Sequence, residues 1–360
     1  MKIQENIPIS TLTTMRIGGN TRYVAEVESL QDLKEAYDFS RNPKTRPEGA
    51  DITEPLPTWI MGGGANTIGR DEGFPGLVII NRMKGIEVLS QTSDEVVIRA
   101  MGGEIWDDFV EFTTERGYSG IETLSAIPGT VGAAPVQNIG AYGQEVSHVI
   151  ESVDAYDTKT GELVVIGRED MNMGYRSTIF NTGKDAGRYF ITAVTFVLEN
   201  EASMQPPFYN SLQKYLDENK ITDYSPASIR DAVKAIRAEK LPDPAVTPSA
   251  GSFFKNIYLS YEEADAAEAK GIKVYTKSDD QKMINSGFLI EQAGLKGKTL
   301  HGFKISEKAS LILINESAKS YADLAAARKE IVDAVYDKFG FKLEQEPVEM
   351  IATTNTAPEK

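Results

Sequence analysis

Between Ile127 and Gly143 the chain reads IPGTVGAAPVQNIGAYG, with four glycines, two prolines, three alanines and no charged residue. A surface linker would be polar, and a core strand would not tolerate so much Gly and Pro. Stripping side chains away lets a backbone approach a partner closely. The fold must therefore lay an irregular segment against something. A second bare stretch, GGGANT from Gly62 to Thr67, follows the short apolar run TWIM. It fails as a dinucleotide fingerprint, because Thr67 occupies the place of the third small residue. The following IGRDEGFPGLVIIN also has no helical period, so no helix N-terminus awaits a pyrophosphate. No Gly-Lys-Ser/Thr follows, which excludes a P-loop. Successive glycine amides can still form an anion-binding nest without a helix, although a tight turn between strands accounts for this stretch alone equally well.

Two bare segments in one half of the chain favour one large cofactor over two unrelated turns. Gly129, Gly132, Gly140 and Gly143 leave backbone open to a flat or anionic ligand. Gln137 and Asn138 add amides suited to a ring edge such as a flavin pyrimidine. Composition narrows the chemistry further. The 360 residues contain no cysteine, which removes disulfides, thiolate nucleophiles and Cys-ligated metals. The only histidines, His148 and His301, argue against a His-based triad or a multi-His metal site, so no metal is expected. A net charge of −15 disfavours nucleic acid and anionic membranes as partners. No apolar run approaches the roughly 20 residues of a membrane span. The N-terminal MKIQENIPIS lacks the apolar stretch of a secretory signal, so the cytoplasm is the expected location.

Periodicity predicts strands at YVAEV, TWIM, GLVIIN, the pair IEVLSQ and EVVIRA, VIESVDAYDTKTGELVVIG as strand–turn–strand, YFITAVTFVLE and SLILIN. A polar loop is expected over 41–57. A helix is expected after Ser29, with Leu30, Leu33 and Ala36 on one face. Another is expected over 104–116, with Ile105, Phe109 and Phe112 sharing a face. A third should run from Ser225 as N-cap and Pro226 at N1 to about Lys240, and a fourth from Tyr321 to Lys338. A last strand is expected around FKLEQEPVEMI. The sum is an α+β chain with mixed sheets.

The strings TLSAIPGTVGAAPVQNIGAYG, GYRSTIF and KLPDPAVTPSAGSFFKN, in this order, resemble the UDP-N-acetylenolpyruvoylglucosamine reductase family over about Thr11 to Ile351. The resemblance implies non-covalent FAD in a non-Rossmann, vanillyl-alcohol oxidase (PCMH) type fold of two subdomains. These are residues 1–85, with the C-terminal strand at about 341–360 returning near them, and 86–200. An α+β substrate-binding domain spans 201–340. By the same resemblance Gly62, Gly63, Gly64, Ala65, Asn66 and Thr67 hold the pyrophosphate. Thr130, Ala133, Gln137, Ile139 and Gly140 hold the ring and ribityl chain. Ala133 and Ala134 stand where the family often has Ser, so backbone contacts must replace a hydroxyl.

The implied reaction reduces UDP-N-acetylglucosamine enolpyruvate to UDP-N-acetylmuramate with NADPH, in peptidoglycan precursor synthesis. Carbanion character develops beside the substrate carboxylate, so a fixed cation and a proton donor are needed. The resemblance assigns these to Arg176 and Ser252, with a carboxyl from LEQEPVEMI. Glu346 takes that role and Glu344 is the fallback, since alternation puts both on one side of an ideal strand. Tyr175 shapes the pocket. Tyr209, Lys240, Asn256 and Tyr275 match substrate contacts, in the form of the family with an extra Tyr-bearing loop. The basic stripe Arg230, Lys234 and Arg237 is either a diphosphate contact or a solvated face. Ser306 and Ala309 replace a family His-x-x-Gln. NADPH and the sugar nucleotide are expected to share one cleft by turns, in a monomer. The alternatives are another flavin oxidoreductase of the same fold, or a nucleotide-sugar binding protein without catalysis.

Overall fold

The computed structural model describes residues 1–46, 54–276 and 280–352, so the expected loop over 41–57 and the C-terminal residues lie partly outside it. The chain begins with β1 (Ile3–Pro8), β2 (Asn20–Val27), α1 (Leu30–Arg41), β3 (Thr58–Met61), β4 (Thr67–Ile68) and β5 (Phe74–Asn81). Four of these strands form a sheet in the order β1-β2-β5-β3, with β5 parallel to both β2 and β3. A parallel strand is buried on both faces and reads as a continuous apolar run, which is why LVIIN shows no alternation. Leu77 and Ile79 pack with Leu33, Ala36 and Tyr37 of α1, whereas Val78 and Ile80 pack with Ile9 and Met350. The Ser29 side chain caps α1 by accepting the Asp32 amide at 3.1 Å.

A second, antiparallel sheet follows. Its elements are β6 (Ile86–Gln91), β7 (Glu95–Met101), α2 (Trp106–Thr114), the hairpin β8 (Gly140–Ala141) and β9 (Gln144–Glu145), β10 (Ile150–Asp157), β11 (Leu163–Gly167) and β12 (Tyr189–Glu199). The order is β11-β10-β12-β7-β6. The α2 face differs from the sequence expectation. Ile105 precedes the helix and is 49% exposed, and the buried residues are Trp106, Phe109, Val110, Thr113 and Thr114. The indole decides this. It stacks near Phe109 and Phe196 and donates from Nε1 to the Leu124 carbonyl at 2.8 Å, so the larger ring takes the core position.

The rest comprises α3 (Asn210–Glu218), α4 (Pro226–Lys240), β13 (Ser249–Ser252), β14 (Ile257–Leu259), α5 (Tyr261–Ala269), β15 (Tyr275–Thr276), β16 (Lys282–Ile284), α6 (Ser286–Gln292), β17 (Thr299–Leu300), β18 (Phe303–Ile305), β19 (Ile312–Asn315), α7 (Tyr321–Phe339) and β20 (Val348–Glu349). Sheets β13-β19-β18-β17 and β14-β16-β15 share a core with α7. Among the described residues no helix is long and apolar enough to cross a membrane. The long C-terminal strand expected at FKLEQEPVEMI is absent. Within residues 341–347 the backbone makes one isolated bridge, from Gln345 to Phe254, and β20 then pairs in parallel with β4. Pro347 lacks the amide that a continuous ladder would need. The chain's end is thus tied to its first hundred residues, as is α7, whose first amides at Tyr321 and Ala322 donate to the Asp71 carboxylate at 2.6 and 2.9 Å.

The basic stripe of α4 is divided: Lys234 is exposed, whereas Arg230 is buried. Arg230 is 4% exposed and forks onto Asp107 of α2 at 2.5 and 3.1 Å. Burial works to raise the Asp107 carboxyl, but the Arg230 fork and the Ala126 amide hold it below the usual carboxylate range. Arg230→Met should therefore cost about 3 kcal/mol at neutral pH by leaving Asp107 half-buried and unpaired. Because the folded pKa is depressed, the pair's contribution is lost as pH falls through it. The stability gap to the native chain, read by urea denaturation, should narrow in acid. A gap that stays constant with pH would contradict this.

Candidate active site

Three segments meet at one place. The loop leaving β3 lies against the segment 127–143 with no space for side chains. A Cβ on Gly62 would sit 2.5 Å from Thr130 Oγ1 and 3.4 Å from the Ala133 methyl, and one on Gly63 would sit 3.3 Å from Gly129 Cα. Gly64 has φ +66°, and a Cβ there would lie 2.0 Å from the Leu12 carbonyl. No acceptor among the described residues takes the amides of Gly63, Gly64 and Ala65. The loop runs into β4, not into a helix, so its anion-binding capacity resides in those free donors.

The longer bare segment divides into two kinds of glycine. A Cβ on Gly132 would meet Gly102 backbone at 3.0 Å, and one on Gly140 would meet the Gln144 carbonyl at 2.9 Å, so these two make room for the chain itself. Gly129, at φ +135°, has nothing within 4 Å of its Cβ position and does leave its backbone open. The two amides also differ from the expectation of a ring-edge contact. Gln137 accepts the Asn66 side chain at 2.7 Å and donates to the Glu346 carbonyl at 3.4 Å. Asn138 is 1% exposed and spends its amide on Glu145, Gly174 and Ser147. Its partners come from two places in the chain, the nearby 145–147 stretch and the distant Gly174, which sequence spacing could not reveal. Ile139 packs its side chain against the second sheet's core.

The residues expected to carry chemistry are brought together. Arg176, at φ +53°, donates from Nε to Glu346 Oε1 at 2.8 Å and from its two terminal nitrogens to the Asn138 and Gly140 carbonyls, each at 3.2 Å. Its guanidinium lies 5.2 Å from the Tyr175 ring centre, and that ring packs on Tyr258. The Tyr175 hydroxyl accepts the Asn256 amide at 3.2 Å. Ser252 ends β13. The next residue, Phe253, accepts the Glu346 amide at 2.9 Å, so the hydroxyl and the carboxyl are held on adjoining strands of chain. Burial pushes the Glu346 carboxyl above the usual range, and Arg176 and Lys255 offset only part of that. Glu344 faces outward, 73% exposed, and pairs with Lys255 Nζ at 2.5 Å. Lys255, within the quoted SAGSFFKN string, is a charge beside the site that no spacing argument picks out.

The expected nucleotide contacts are more dispersed. Tyr209, at the start of α3, meets Tyr142 edge-on with ring centres 5.9 Å apart. Burial, then Tyr275, raises its phenol, so Tyr275 of β15 belongs to the same neighbourhood. Asn256 reaches Ser286, whose amide donates to Asn256 Oδ1 at 3.2 Å. Lys240 lines a depression of about 670 Å³ with Ser306, Lys304 and Lys308. Ser306 caps its own turn by accepting the Lys308 and Ala309 amides. Among the described residues no cluster of His, Asp and Glu could hold a metal ion.

Free amides in a side-chain-stripped loop, facing an open Gly129, fit a cofactor with a pyrophosphate and a flat ring. Residues 22–167 match a family described as an FAD binding domain, and residues 243–350 match the C-terminal domain of UDP-N-acetylenolpyruvoylglucosamine reductase. The protein is thus an FAD-dependent oxidoreductase of the non-Rossmann, α+β type. It is 35% identical to the UDP-N-acetylenolpyruvoylglucosamine reductase of Pseudomonas putida over 346 residues, covering 96% of this chain and 98% of that one. It is 36% identical to the protein of that name from Ralstonia nicotianae, with the same coverage. The crystal structure of the enzyme from Thermus caldophilus superposes with a TM-score of 0.66 over 98% of this chain and 100% of that one, at 21% identity, a likeness of fold. The chain belongs to the UDP-N-acetylenolpyruvoylglucosamine reductase family.

The raised Glu346 carboxyl makes a testable sign. A carboxyl whose folded pKa is raised stabilises the fold below the ordinary carboxylate value, and that contribution is lost as pH rises through the folded value. Glu346→Gln carries no such loss. Its melting temperature relative to the native chain should therefore climb from about pH 4.5 upward. A gap that falls over that range would mean that the Arg176 contact outweighs burial.

Proposed function

We propose that this chain reduces the enolpyruvyl group of UDP-N-acetylglucosamine enolpyruvate with NADPH, giving UDP-N-acetylmuramate for peptidoglycan precursor synthesis. The observation that carries this is the 2.8 Å contact of Arg176 with Glu346, next to the Ser252–Asn256 run and the two glycine segments. FAD, when bound, supplies the chemistry that side chains lack, accepting an electron pair from NADPH and giving one to the substrate double bond. Gly62 to Thr67 would hold its pyrophosphate. Thr130, Ala133, Gln137, Ile139 and Gly140 would hold its ring and ribityl chain.

The chain's own work is at the carbon beside the substrate carboxylate, where negative charge gathers. Arg176 keeps its charge at any working pH and can fork onto a carboxylate. The Asn138 and Gly140 carbonyls already fix its orientation, so little reorganisation is needed when charge develops. Glu346, with a carboxyl raised by burial, can hold a proton and donate a hydrogen bond to the same charge instead of repelling it. Ser252 delivers the proton to that carbon. A serine hydroxyl is a poor acid in water, but it suffices against a carbanion where water is excluded. Tyr175 walls the site, and Tyr209, Lys240, Asn256 and Tyr275 take the nucleotide half of the substrate.

In this reading residues 1–85, with the returning C-terminal segment, and 86–200 hold FAD, and 201–340 take the substrate. The protein works as a monomer in the cytoplasm, where NADPH and UDP-sugars are found. NADPH and the sugar nucleotide alternate in one cleft, so initial-rate plots should give parallel lines. Intersecting lines would count against a shared cleft. The sharper test is Ser252→Ala followed by stopped-flow absorbance. Bleaching of the flavin by NADPH should be near native, and recolouring by the enolpyruvyl sugar nucleotide should slow by about 10²- to 10⁴-fold. Native-speed recolouring would remove Ser252 as the proton donor, and no recolouring of the native enzyme would remove the substrate assignment.

A further inference from the structure

Asn138 is among the most deeply buried polar side chains at the site, yet the reaction above gives it no chemistry. Its amide nitrogen donates to Glu145 Oε2 at 2.9 Å and to the Gly174 carbonyl at 3.2 Å, and its amide oxygen accepts the Ser147 amide at 3.0 Å. Its own carbonyl accepts Arg176 Nη1 at 3.2 Å. One buried side chain therefore pins the β8–β9 hairpin to the chain two residues before Arg176, while its backbone receives the Arg176 guanidinium.

Backbone conformation points the same way. Asn138 stands at φ +44° and Arg176 at φ +53°, both left-handed. Such residues are strained and persist only where the surroundings over-determine them. Asn tolerates the region, but Arg gains nothing intrinsic from it. The Arg176 turn is held by Asn181, whose side chain donates to the Arg176 carbonyl at 3.0 Å. The guanidinium end is held by the Asn138 and Gly140 carbonyls, both on the segment that the Asn138 amide fixes.

We propose that Asn138 is a positioning residue for Arg176, aiming its guanidinium at the substrate carboxylate by clamping the 138–147 turn to Gly174. This rests on the role given to Arg176 above. Asn138→Gly is the informative variant, because glycine keeps the left-handed backbone and removes only the clamp. The experiment is a double-mutant cycle on the holoenzyme, using Asn138→Gly, Arg176→Ala and both together. Stopped-flow absorbance follows flavin bleaching by NADPH and recolouring by the enolpyruvyl sugar nucleotide. Asn138→Gly should bleach normally and recolour up to about 100-fold more slowly, the scale on which a misplaced group loses rate. The double variant should be no slower than Arg176→Ala alone, since both changes disable one group. Multiplying effects, or native recolouring in Asn138→Gly, would overturn the proposal. Native recolouring in Arg176→Ala would instead overturn the role of Arg176. If Asn138→Gly does not fold, Asn138→Ser, which retains a short polar group, carries the same cycle.

Discussion

Everything at this site depends on backbone lying against backbone. Gly62 and Gly63 press on Thr130 and Gly129 so closely that a methyl group on Gly62 would collide with the Thr130 hydroxyl. That closeness joins the mixed sheet, whose β3 delivers the first loop, to the segment that leads from α2 to β10 of the antiparallel sheet. Among the described residues no acceptor takes the amides of Gly63, Gly64 and Ala65, so they are available to an anion. In the function proposed above, peptide groups form the cofactor seat and side chains serve the substrate.

The substrate side is assembled by a different device. Glu346 comes from an irregular run pinned at three points: its amide to Phe253, its carbonyl to Gln137, and the following Val348 amide to the Asn66 carbonyl. Each pin belongs to a different part of the chain. The carboxyl is therefore registered against the Ser252–Phe254 run and both glycine-rich loops together. Its 2.8 Å contact with Arg176 closes the arrangement.

Much of this was legible in the sequence, and the reasons are local. Ser29 and Ser225 are caps with the residue types that helix ends demand, and α4 runs from Pro226 to Lys240 as its punctuation implies. The apolar run of β5 and the eleven-residue β12 declare themselves by pattern. What stayed hidden is non-local. Nothing near Asn138 in sequence announces Gly174 as a partner, so its amide reads as free when it is fully engaged. Arg230 reads as part of a surface stripe because its acid, Asp107, is more than a hundred residues away. Gly132 and Gly140 read as ligand-bare, but they serve contacts with the chain itself. Alternation in LEQEPVEMI suggests a strand that Pro347 and the lack of a continuous neighbour prevent.

The pairing of β20 with β4 has a mechanical side. Asn66 and Ile68 receive hydrogen bonds from Val348 and Met350, so the outgoing edge of the glycine loop is braced by a segment far away in sequence. The loop and that segment are thereby one unit, and a shift in either carries the other with it.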